Sequence, residues 1–150
     1  MRGLPEDRAI RDLRAAFAYL SSRSDVKKDR IGSLGWCMGG GYSLQAAVQL
    51  PDLAACVVNY GRLVTDENLI AQINAPILGI FGGLDRGIPV KDVKAFEQKA
   101  KELGKEIHIE IYSKSGHAFS NENNTKGYSA ADAASAWQKT LEFFADKLKQ

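Results

Sequence analysis

Three side chains that can act together in covalent catalysis follow one another along this sequence, each after a segment typical of a β-strand. Cys37 comes shortly after the run IGSL, Asp85 follows APILGIF and a glycine pair, and His117 follows isoleucines that alternate with polar residues. A cysteine thiolate attacks carbonyl carbons, a histidine accepts the thiol proton, and a carboxylate orients the imidazole. Because functional loops lie beyond the carboxyl ends of parallel strands, we expect these side chains to meet there.

The residues around Cys37, GWCMG, fit the sharp turn called a nucleophile elbow, with cysteine in place of serine. The order nucleophile, acid, histidine is the one that α/β-hydrolases use. The nucleophile of such a turn has a strained backbone, and Gly35, Gly39 and Gly40 are expected to give it room. The turn is expected to place the sulfur at a helix N-terminus, beside the positive end of the helix dipole. The backbone N–H of Met38 is expected to bind the oxyanion.

Each cysteine has a simpler interpretation as a buried, unreactive core residue, because free cysteines are usually of that kind. For Cys37, the neighbouring glycines and the aspartate and histidine that follow later favour a nucleophile. Cys56 lies inside the apolar run AACVV and is predicted to belong to the core. A redox role for an exposed Cys37 thiolate is a rival hypothesis, and the lack of an accessible second thiol makes it less attractive.

Asp85 competes with Asp66 and Asp92 for the role of orienting the histidine. It is preferred because it alone directly follows a strand end and a glycine pair. His117 has the alternative of an ordinary loop histidine, but its place after a strand, in GHAF, favours the catalytic role. His108 stands at a polar position between two isoleucines and is predicted to face solvent at the edge of the sheet.

Three aromatic residues, Trp36, Tyr60 and Phe119, stand where they could line an apolar substrate pocket. Aromatic residues next to a core strand are core packing about as often, so they are pocket candidates only. Arg62 could bind a substrate carboxylate, although a solvated arginine is the preferred interpretation. Arg86, beside the candidate acid, is expected to lie at the surface.

The apolar pattern predicts four strands. A short strand is expected at residues 30–34, and continuous apolar runs predict buried strands at residues 53–59 and 75–81. Continuous runs suggest strands covered on both faces, as in a parallel sheet. At residues 106–112 isoleucines alternate with polar residues, which predicts an edge strand.

Helices are predicted between and around these strands. Periodic apolar residues predict amphipathic helices at residues 5–22, 39–50, about 93–103 and 130–148, and a weak short helix is expected at residues 66–73. Strands and helices therefore alternate, and a last long helix follows them. This order predicts an α/β fold of three layers, with a mostly parallel sheet of about four strands and flanking helices.

The composition of the chain narrows the classes of function. A length of 150 residues predicts one domain, residues 1–150, that buries a core without metal or disulfide support. The 20 basic and 18 acidic residues are interspersed, which argues against a nucleic-acid groove. No apolar run approaches the roughly 18 residues of a membrane span, and the N-terminus lacks an apolar signal core. Two cysteines without metal-type spacing fit the cytoplasm.

Several motifs together resemble the dienelactone hydrolase family, a branch of the α/β-hydrolases that uses Cys, Asp and His. They are GWCMGG around Cys37, the strand end Asn59-Tyr60-Gly61, APILGIFGGLD with Asp85, YSKSGHAF with His117, and WQKTLEFF in the last helix. The resemblance covers nearly the whole chain. It implies hydrolysis of a small ester or lactone through a thioester acyl-enzyme, without a cofactor or a metal.

The chain departs from that family because it resembles only the C-terminal part, with roughly the first four strands of an eight-strand sheet absent. The family's second oxyanion donor, an acidic residue that holds the resting thiol and a substrate-binding arginine have no counterpart. The strand before Cys37 becomes a sheet edge, and mainly the last helix is expected to cover one face. Uncovered edges are rarely left open, so we expect a homodimer that covers this edge or the face beside it.

The incomplete site leaves two kinds of function open. With one oxyanion donor missing, turnover is expected to fall on the order of a hundredfold or more, which predicts a weak esterase for small, activated substrates. The alternative is a non-catalytic remnant that acts as a binding or scaffold protein. Hydrolysis of a short-chain aryl ester distinguishes the two.

Overall fold

The computed structural model describes residues 5–149 and shows five helices and four strands that alternate along the chain. The elements are α1 (Glu6–Ser22), a 3-10 turn (Lys28–Arg30), β1 (Gly32–Trp36), α2 (Met38–Gln49), β2 (Ala55–Asn59), α3 (Glu67–Ala71), β3 (Ile77–Gly82), α4 (Val90–Glu102), β4 (Ile107–Tyr112) and α5 (Ala130–Leu148). Residues 1–4 and 150 lie outside the described residues. The N-terminal segment for which the sequence predicts no secretion signal therefore lies partly outside them.

The four strands form one parallel sheet in the order β1-β2-β3-β4. The predicted fold class, an α/β layer fold with a parallel sheet of four strands, is therefore confirmed. The register aligns Trp36 with Asn59, so that β1 and β2 end side by side. Gly82 likewise aligns with Tyr112 at the ends of β3 and β4. All four strands thus present their carboxyl ends at one edge, which is where the candidate residues follow.

Four helices cover one face of the sheet. α1, α2, α3 and α4 pack with side chains from the central strands into one apolar core. Every residue of β2 and β3 is buried, which explains why their sequences are continuously apolar rather than alternating. Cys56 is fully buried in this core, as predicted.

Among the helices of residues 5–149, α5 is the one that covers the other face of the sheet. Its residue Ala136 packs with Val57, Leu78 and Ile80, which point away from the first core. The helix leaves part of this face open: the exposed fractions of Trp36, Trp137 and Leu141 are 43%, 49% and 45%. The expectation that mainly the last helix covers this face is confirmed.

Strand boundaries differ from the predicted ones in a way that matters for the site. β1 begins at Gly32 rather than at residue 30, because Lys28–Arg30 turns as a 3-10 helix, and it extends to Trp36. Cys37 therefore follows the last strand residue directly. β4 is an edge strand, as predicted, and His108 on it is exposed. No helix within residues 5–149 has the length and apolar character needed to cross a membrane.

Candidate active site

Cys37 occupies the turn between β1 and α2 with its backbone in an unusual conformation, φ 53° and ψ −117°. Such a positive φ is strained for a residue with a side chain and persists only where the surroundings impose it. A Cβ on Gly35 would lie 1.9 Å from the carbonyl oxygen of Gly39, and a Cβ on Gly40 would lie 2.6 Å from that of Asn59. Both glycines are required by close packing, as predicted.

Gly39 differs from the other two glycines. A Cβ at this position meets nothing within 4 Å, so the expectation that Gly39 makes room for the nucleophile is wrong. It lies on the open side of the first turn of α2, where a side chain is free to point into solvent. The turn itself is held by backbone contacts, since Gly41 N donates to Cys37 O at 3.2 Å.

Asn59 fixes the turn from the neighbouring strand. Its carbonyl oxygen accepts from Cys37 N at 3.0 Å, and its side-chain Nδ2 donates to Gly35 O at 3.3 Å. The side chain is buried, so these bonds are shielded from water. Sequence reasoning used this residue only as a strand end. Its importance could have been inferred because it is a polar residue at the end of an otherwise apolar strand, and a buried polar side chain needs hydrogen-bond partners.

His117 joins the cysteine to the carboxylate. Its Nε2 lies 3.1 Å from Cys37 Sγ, and its Nδ1 lies 2.7 Å from Asp85 Oδ2. The Asp85 side chain is only 1% exposed, whereas that of His117 is 42% exposed and open to solvent. Sulfur, imidazole and carboxylate thus form an unbroken hydrogen-bonded chain with the geometry of a nucleophile, a base and an orienting acid.

The carboxylate of Asp85 is oriented by the loop that follows it. Its Oδ1 accepts from Gly87 N at 2.8 Å and from Ile88 N at 3.1 Å, which leaves Oδ2 for the histidine. The competing aspartates lie elsewhere. Asp66 caps α3, and Asp92 lies in the first turn of α4.

The loop that carries His117 is anchored on two sides. Asn124 Nδ2 donates to the carbonyl oxygens of His117 and Ala118, at 3.1 and 3.3 Å. Ser115 Oγ donates to Asp132 Oδ2 at 2.5 Å, which ties the start of the loop to the first turn of α5. The position of the imidazole therefore depends on the last helix as well as on the sheet.

The three aromatic pocket candidates occupy two different environments. The rings of Tyr60 and His117 meet edge to face at 5.3 Å, and Phe119 packs behind Tyr60 at 5.5 Å. Tyr60 and Phe119 are only 2% and 0% exposed, so Tyr60 packs against the imidazole, Phe119 packs against Tyr60, and neither offers a surface to a substrate. Burial raises the pKa of the Tyr60 hydroxyl. Trp36 is half-exposed and lies 6.5 Å from the ring of Trp137.

Met38 begins α2 directly after the cysteine, and its side chain is 62% exposed. Backbone N–H groups in the first turn of a helix have no partner within the helix. That the N–H of Met38 donates to an oxygen that develops negative charge beside the sulfur stays a prediction.

The chain neighbours of Cys37 line two different cavities. Met38 contributes to one of 470 Å³, between α2 and the segment after β2. Trp36 contributes to a smaller one of 210 Å³ beside α5, together with Asn59 and Trp137. Across residues 5–149 no group of three or more His, Cys, Asp or Glu side chains is placed to hold a metal ion.

Comparison with known proteins gives one consistent family. The sequence model described as "Dienelactone hydrolase family" matches residues 1–148. A Salmonella typhimurium protein provisionally named carboxymethylenebutenolidase is 33% identical over 151 residues, which cover 95% of this chain and 55% of the relative. A protein of Saccharolobus solfataricus with the same provisional name is 36% identical over 142 residues, 92% of this chain and 51% of the relative.

Solved structures give the same fold. A crystal structure provisionally named dienelactone hydrolase, from Klebsiella pneumoniae, superposes with a TM-score of 0.82 at 28% identity, over 91% of this chain and 60% of that one. The chain spans about half the length of the curated relatives it matches.

Proposed function

Because the chain belongs to the dienelactone hydrolase family, we propose that it hydrolyses small esters or lactones with Cys37 as the nucleophile. The observation that carries the proposal is the hydrogen-bonded chain from Cys37 Sγ through His117 to Asp85. A strained, solvent-accessible cysteine at a helix N-terminus, 3.1 Å from a histidine, has no evident structural purpose in itself. Strain of this kind is typical of functional sites.

In the first half of the reaction, His117 Nε2 takes the proton of the Cys37 thiol. The thiolate attacks the carbonyl carbon, a C–S bond forms, and the carbonyl electron pair moves onto oxygen. The N–H of Met38 stabilises that oxyanion. When the carbonyl reforms, the C–O bond to the leaving group breaks, and the imidazolium of His117 gives its proton to the leaving oxygen. A thioester on Cys37 remains.

In the second half, water replaces the leaving group. His117 accepts a proton from the water while the water oxygen attacks the thioester carbon. The C–S bond then breaks and returns the thiolate. The thiolate then recovers the proton from His117. The products are a carboxylic acid and an alcohol, which together equal the ester plus one water. With a lactone, both groups remain on one molecule because the broken bond belongs to a ring.

Asp85 orients His117 for these proton transfers and stabilises its charged form. Its buried carboxylate holds Nδ1 as the protonated nitrogen of the neutral ring, so that Nε2 is free to accept from sulfur. The same carboxylate stabilises the positive imidazolium that forms in each half of the reaction. With a single proposed oxyanion donor, turnover is expected to be slow.

The proposal includes a homodimer and a cytoplasmic location. Within residues 5–149, β1 pairs only with β2, so one side of its backbone is open. The exposed Trp36, Trp137 and Leu141 lie on the face beside that edge. A two-fold axis next to β1 pairs the strand with its symmetry mate and covers both features at once. A reducing cytoplasm keeps the nucleophile as a free thiol.

Hydrolysis of 4-nitrophenyl acetate by the 150-residue chain tests the proposal. Saturable turnover is expected in the unmodified chain and in Cys56→Ala, which removes the buried thiol, but not in Cys37→Ala. The acyl-enzyme should be visible by intact mass after rapid acid quenching. Equal background rates in all three proteins contradict the proposed activity, and a non-catalytic binding protein then becomes the preferred function.

A further inference from the structure

Within residues 5–149, three residues other than glycine have a positive φ, and all three adjoin His117. They are Cys37 at 53°, Tyr60 at 37° and Ala118 at 56°. Cys37 Sγ lies 3.1 Å from Nε2 of the imidazole, the Tyr60 ring packs against the imidazole at 5.3 Å, and Ala118 follows His117 in the chain. A left-handed conformation is unfavourable for a residue with a side chain and persists only where its surroundings impose it. Ala118 therefore needs contacts that hold it in this conformation.

The side chain of Asn124 supplies such contacts. Its Nδ2 donates to His117 O at 3.1 Å and to Ala118 O at 3.3 Å, so that one amide group binds two successive carbonyl groups. The relative direction of these carbonyl groups is set by φ and ψ of Ala118. A donor that binds both of them therefore favours the observed left-handed conformation over the extended or right-handed ones.

The position of the imidazole depends on this conformation because the residue after Ala118 is fixed. Phe119 is 0% exposed and its ring packs against that of Tyr60 at 5.5 Å, whereas the side chain of His117 is 42% exposed. A change of φ at Ala118 turns His117 and Phe119 relative to each other. Since a displaced Phe119 would open the core, the displacement falls on His117 and takes the imidazole away from Cys37.

The Asn124 side chain is itself held in place by the turn that follows it. Its backbone carbonyl oxygen accepts from Gly127 N at 3.0 Å and from Tyr128 N at 2.8 Å. A Cβ on Gly127 would lie 2.5 Å from Asn124 Nδ2, so the glycine leaves the room that the amide group occupies. Alanine at position 127 should push the amide away from the two carbonyl groups. The chain thus offers a second way to remove the contact without changing Asn124.

We propose that Asn124 is a positioning residue whose amide group holds Ala118 in the left-handed conformation and thereby keeps Nε2 of His117 at the sulfur of Cys37. Asn124 acts through His117 and does not touch the reacting atoms. The inference rests on the proposed function for the reaction that His117 serves, but the position of the imidazole can be measured without that reaction. The unfavourable energy of a left-handed alanine corresponds to about five- to thirtyfold in population, so loss of the amide should lower the correctly placed fraction by this factor.

Alkylation of Cys37 by iodoacetamide measures the position of the base without any ester. The thiolate displaces iodide as a C–S bond forms, and peptide mass analysis assigns the product to Cys37. At about pH 7 formation of the thiolate depends on a nearby base, whereas at about pH 10 hydroxide deprotonates an ordinary thiol, which titrates near 8.5. The ratio of the rate at pH 7 to that at pH 10 therefore reports the base and cancels changes in access to the sulfur.

This ratio is expected to fall about five- to thirtyfold in Asn124→Ala, and also to fall in Gly127→Ala. Asn123→Ala is the matched control and should leave it unchanged, because Asn123 is exposed and joins the loop through its backbone N–H, which donates to Asn121 Oδ1 at 3.0 Å. Adding Ala118→Gly to Asn124→Ala should restore most of the ratio, since glycine adopts a positive φ without strain.

Two results overturn the proposal. One is an unchanged ratio in Asn124→Ala, or a fall of the same size in Asn123→Ala. The other is the absence of any recovery on adding Ala118→Gly, which would show that the amide does not act through Ala118. Melting curves establish that each variant is folded at the assay temperature. If Asn124→Ala is not folded, Gly127→Ala decides in its place, and an unchanged ratio there overturns the proposal.

Turnover of 4-nitrophenyl acetate supplies the second measurement. Asn124→Ala should lower kcat about five- to thirtyfold with little change in KM, because the amide acts through the base and not on the bound substrate. A lower alkylation ratio in a chain that shows no turnover even when unmodified rejects the proposed hydrolysis but retains the positioning role. Turnover with the same kcat in the unmodified chain and in Asn124→Ala overturns the positioning role and retains the hydrolysis.

Discussion

The Nε2 atom of His117 lies 3.1 Å from the sulfur of Cys37, although 80 positions separate the two residues in the chain. Two strand ends of one parallel sheet bring them together, and the buried Asp85 fixes the far side of the imidazole. The geometry of the candidate site therefore depends on the sheet edge as a whole rather than on any single loop.

The first prediction concerns the charge of Asp85. Asp85→Asn keeps an oxygen that can accept from Gly87 N and Ile88 N but removes the negative charge beside Nδ1. We expect kcat to fall on the order of a hundred- to ten-thousandfold with little change in thermal stability. Steady-state kinetics and a melting curve check this. A kcat close to that of the unmodified chain shows that the carboxylate does not orient the base.

A pair of glycine substitutions tests the geometry of the turn. Gly35→Ala drives a methyl group into Gly39 O, which would lie 1.9 Å away, and should abolish turnover and destabilise the chain. Gly39→Ala puts the same group into open space on α2, and alanine is favoured over glycine in a helix by up to about 1 kcal/mol. Urea unfolding should show opposite signs for the two variants. Similar destabilisation by both contradicts the described turn.

Two asparagines provide a comparison between a buried and an exposed hydrogen bond. Asn59 Nδ2 donates to Gly35 O and Asn74 Nδ2 donates to Pro51 O, both at 3.3 Å. Asn59→Ala leaves a buried carbonyl without its donor and should lower the free energy of unfolding by about 1–3 kcal/mol and reduce kcat. Asn74→Ala, at the surface, should change it by less than about 0.5 kcal/mol. Equal effects show that burial of the Asn59 bond contributes nothing.

The buried Cys56 should make the free energy of unfolding depend on pH. Burial raises the pKa of the Cys56 thiol from 9.0 to about 11. Between these pH values the unfolded chain releases the Cys56 proton and the folded chain keeps it, so stability is lost as pH rises through this window. The loss from this group approaches about 2–3 kcal/mol by pH 11. Chemical unfolding at several pH values measures it.

Cys56→Ala is the control for that measurement, because other groups titrate in the same window. The alanine variant is less stable at neutral pH but should show a smaller decrease between pH 9 and 11. Identical pH slopes in the two proteins would show that Cys56 does not retain its proton on folding.

The proposed dimer can be tested by changing the apolar patch formed by Trp36, Trp137 and Leu141. Trp137→Glu places a charge beside Trp36 and should convert a dimer into a monomer in sedimentation at micromolar concentration. Leu84→Glu replaces another exposed apolar residue outside the patch and should leave the dimer intact. A monodisperse monomer in the unmodified chain rejects this part of the proposal.

The fold was largely predictable because buried strands leave a strong pattern in the sequence. Continuous apolar runs located β2 and β3, and helical periodicity located α1, α4 and α5. β1 begins two residues later than predicted because Arg30 belongs to a 3-10 turn and Ile31, although extended, only follows that turn before the strand starts at Gly32. Periodicity does not detect such a turn, since only hydrogen bonding to the neighbouring strand decides where a short strand begins.

The residues of the candidate site were predictable where a motif and the chain order specify them. They were not predictable where the burial of a side chain determines its role. The sequence places Cys37, Asp85 and His117 after the first, third and fourth strands, and the structure brings them together. Sequence position does not tell whether an aromatic residue near a strand end faces a substrate or the core. Tyr60 and Phe119 were therefore proposed for a pocket, whereas both are buried beneath the imidazole.

The bond between Ser115 and Asp132 bears on the order in which the candidate active site assembles. During synthesis the N-terminal elements of a domain emerge first, so the sheet and α1 to α4 precede α5. Until α5 docks, the loop of His117 lacks its anchor at Asp132, and Val57 and Ile80 lack the helix that covers them. The anchoring of His117 beside Cys37 thus waits for the last helix, so a half-made chain carries the cysteine before the histidine loop is fixed.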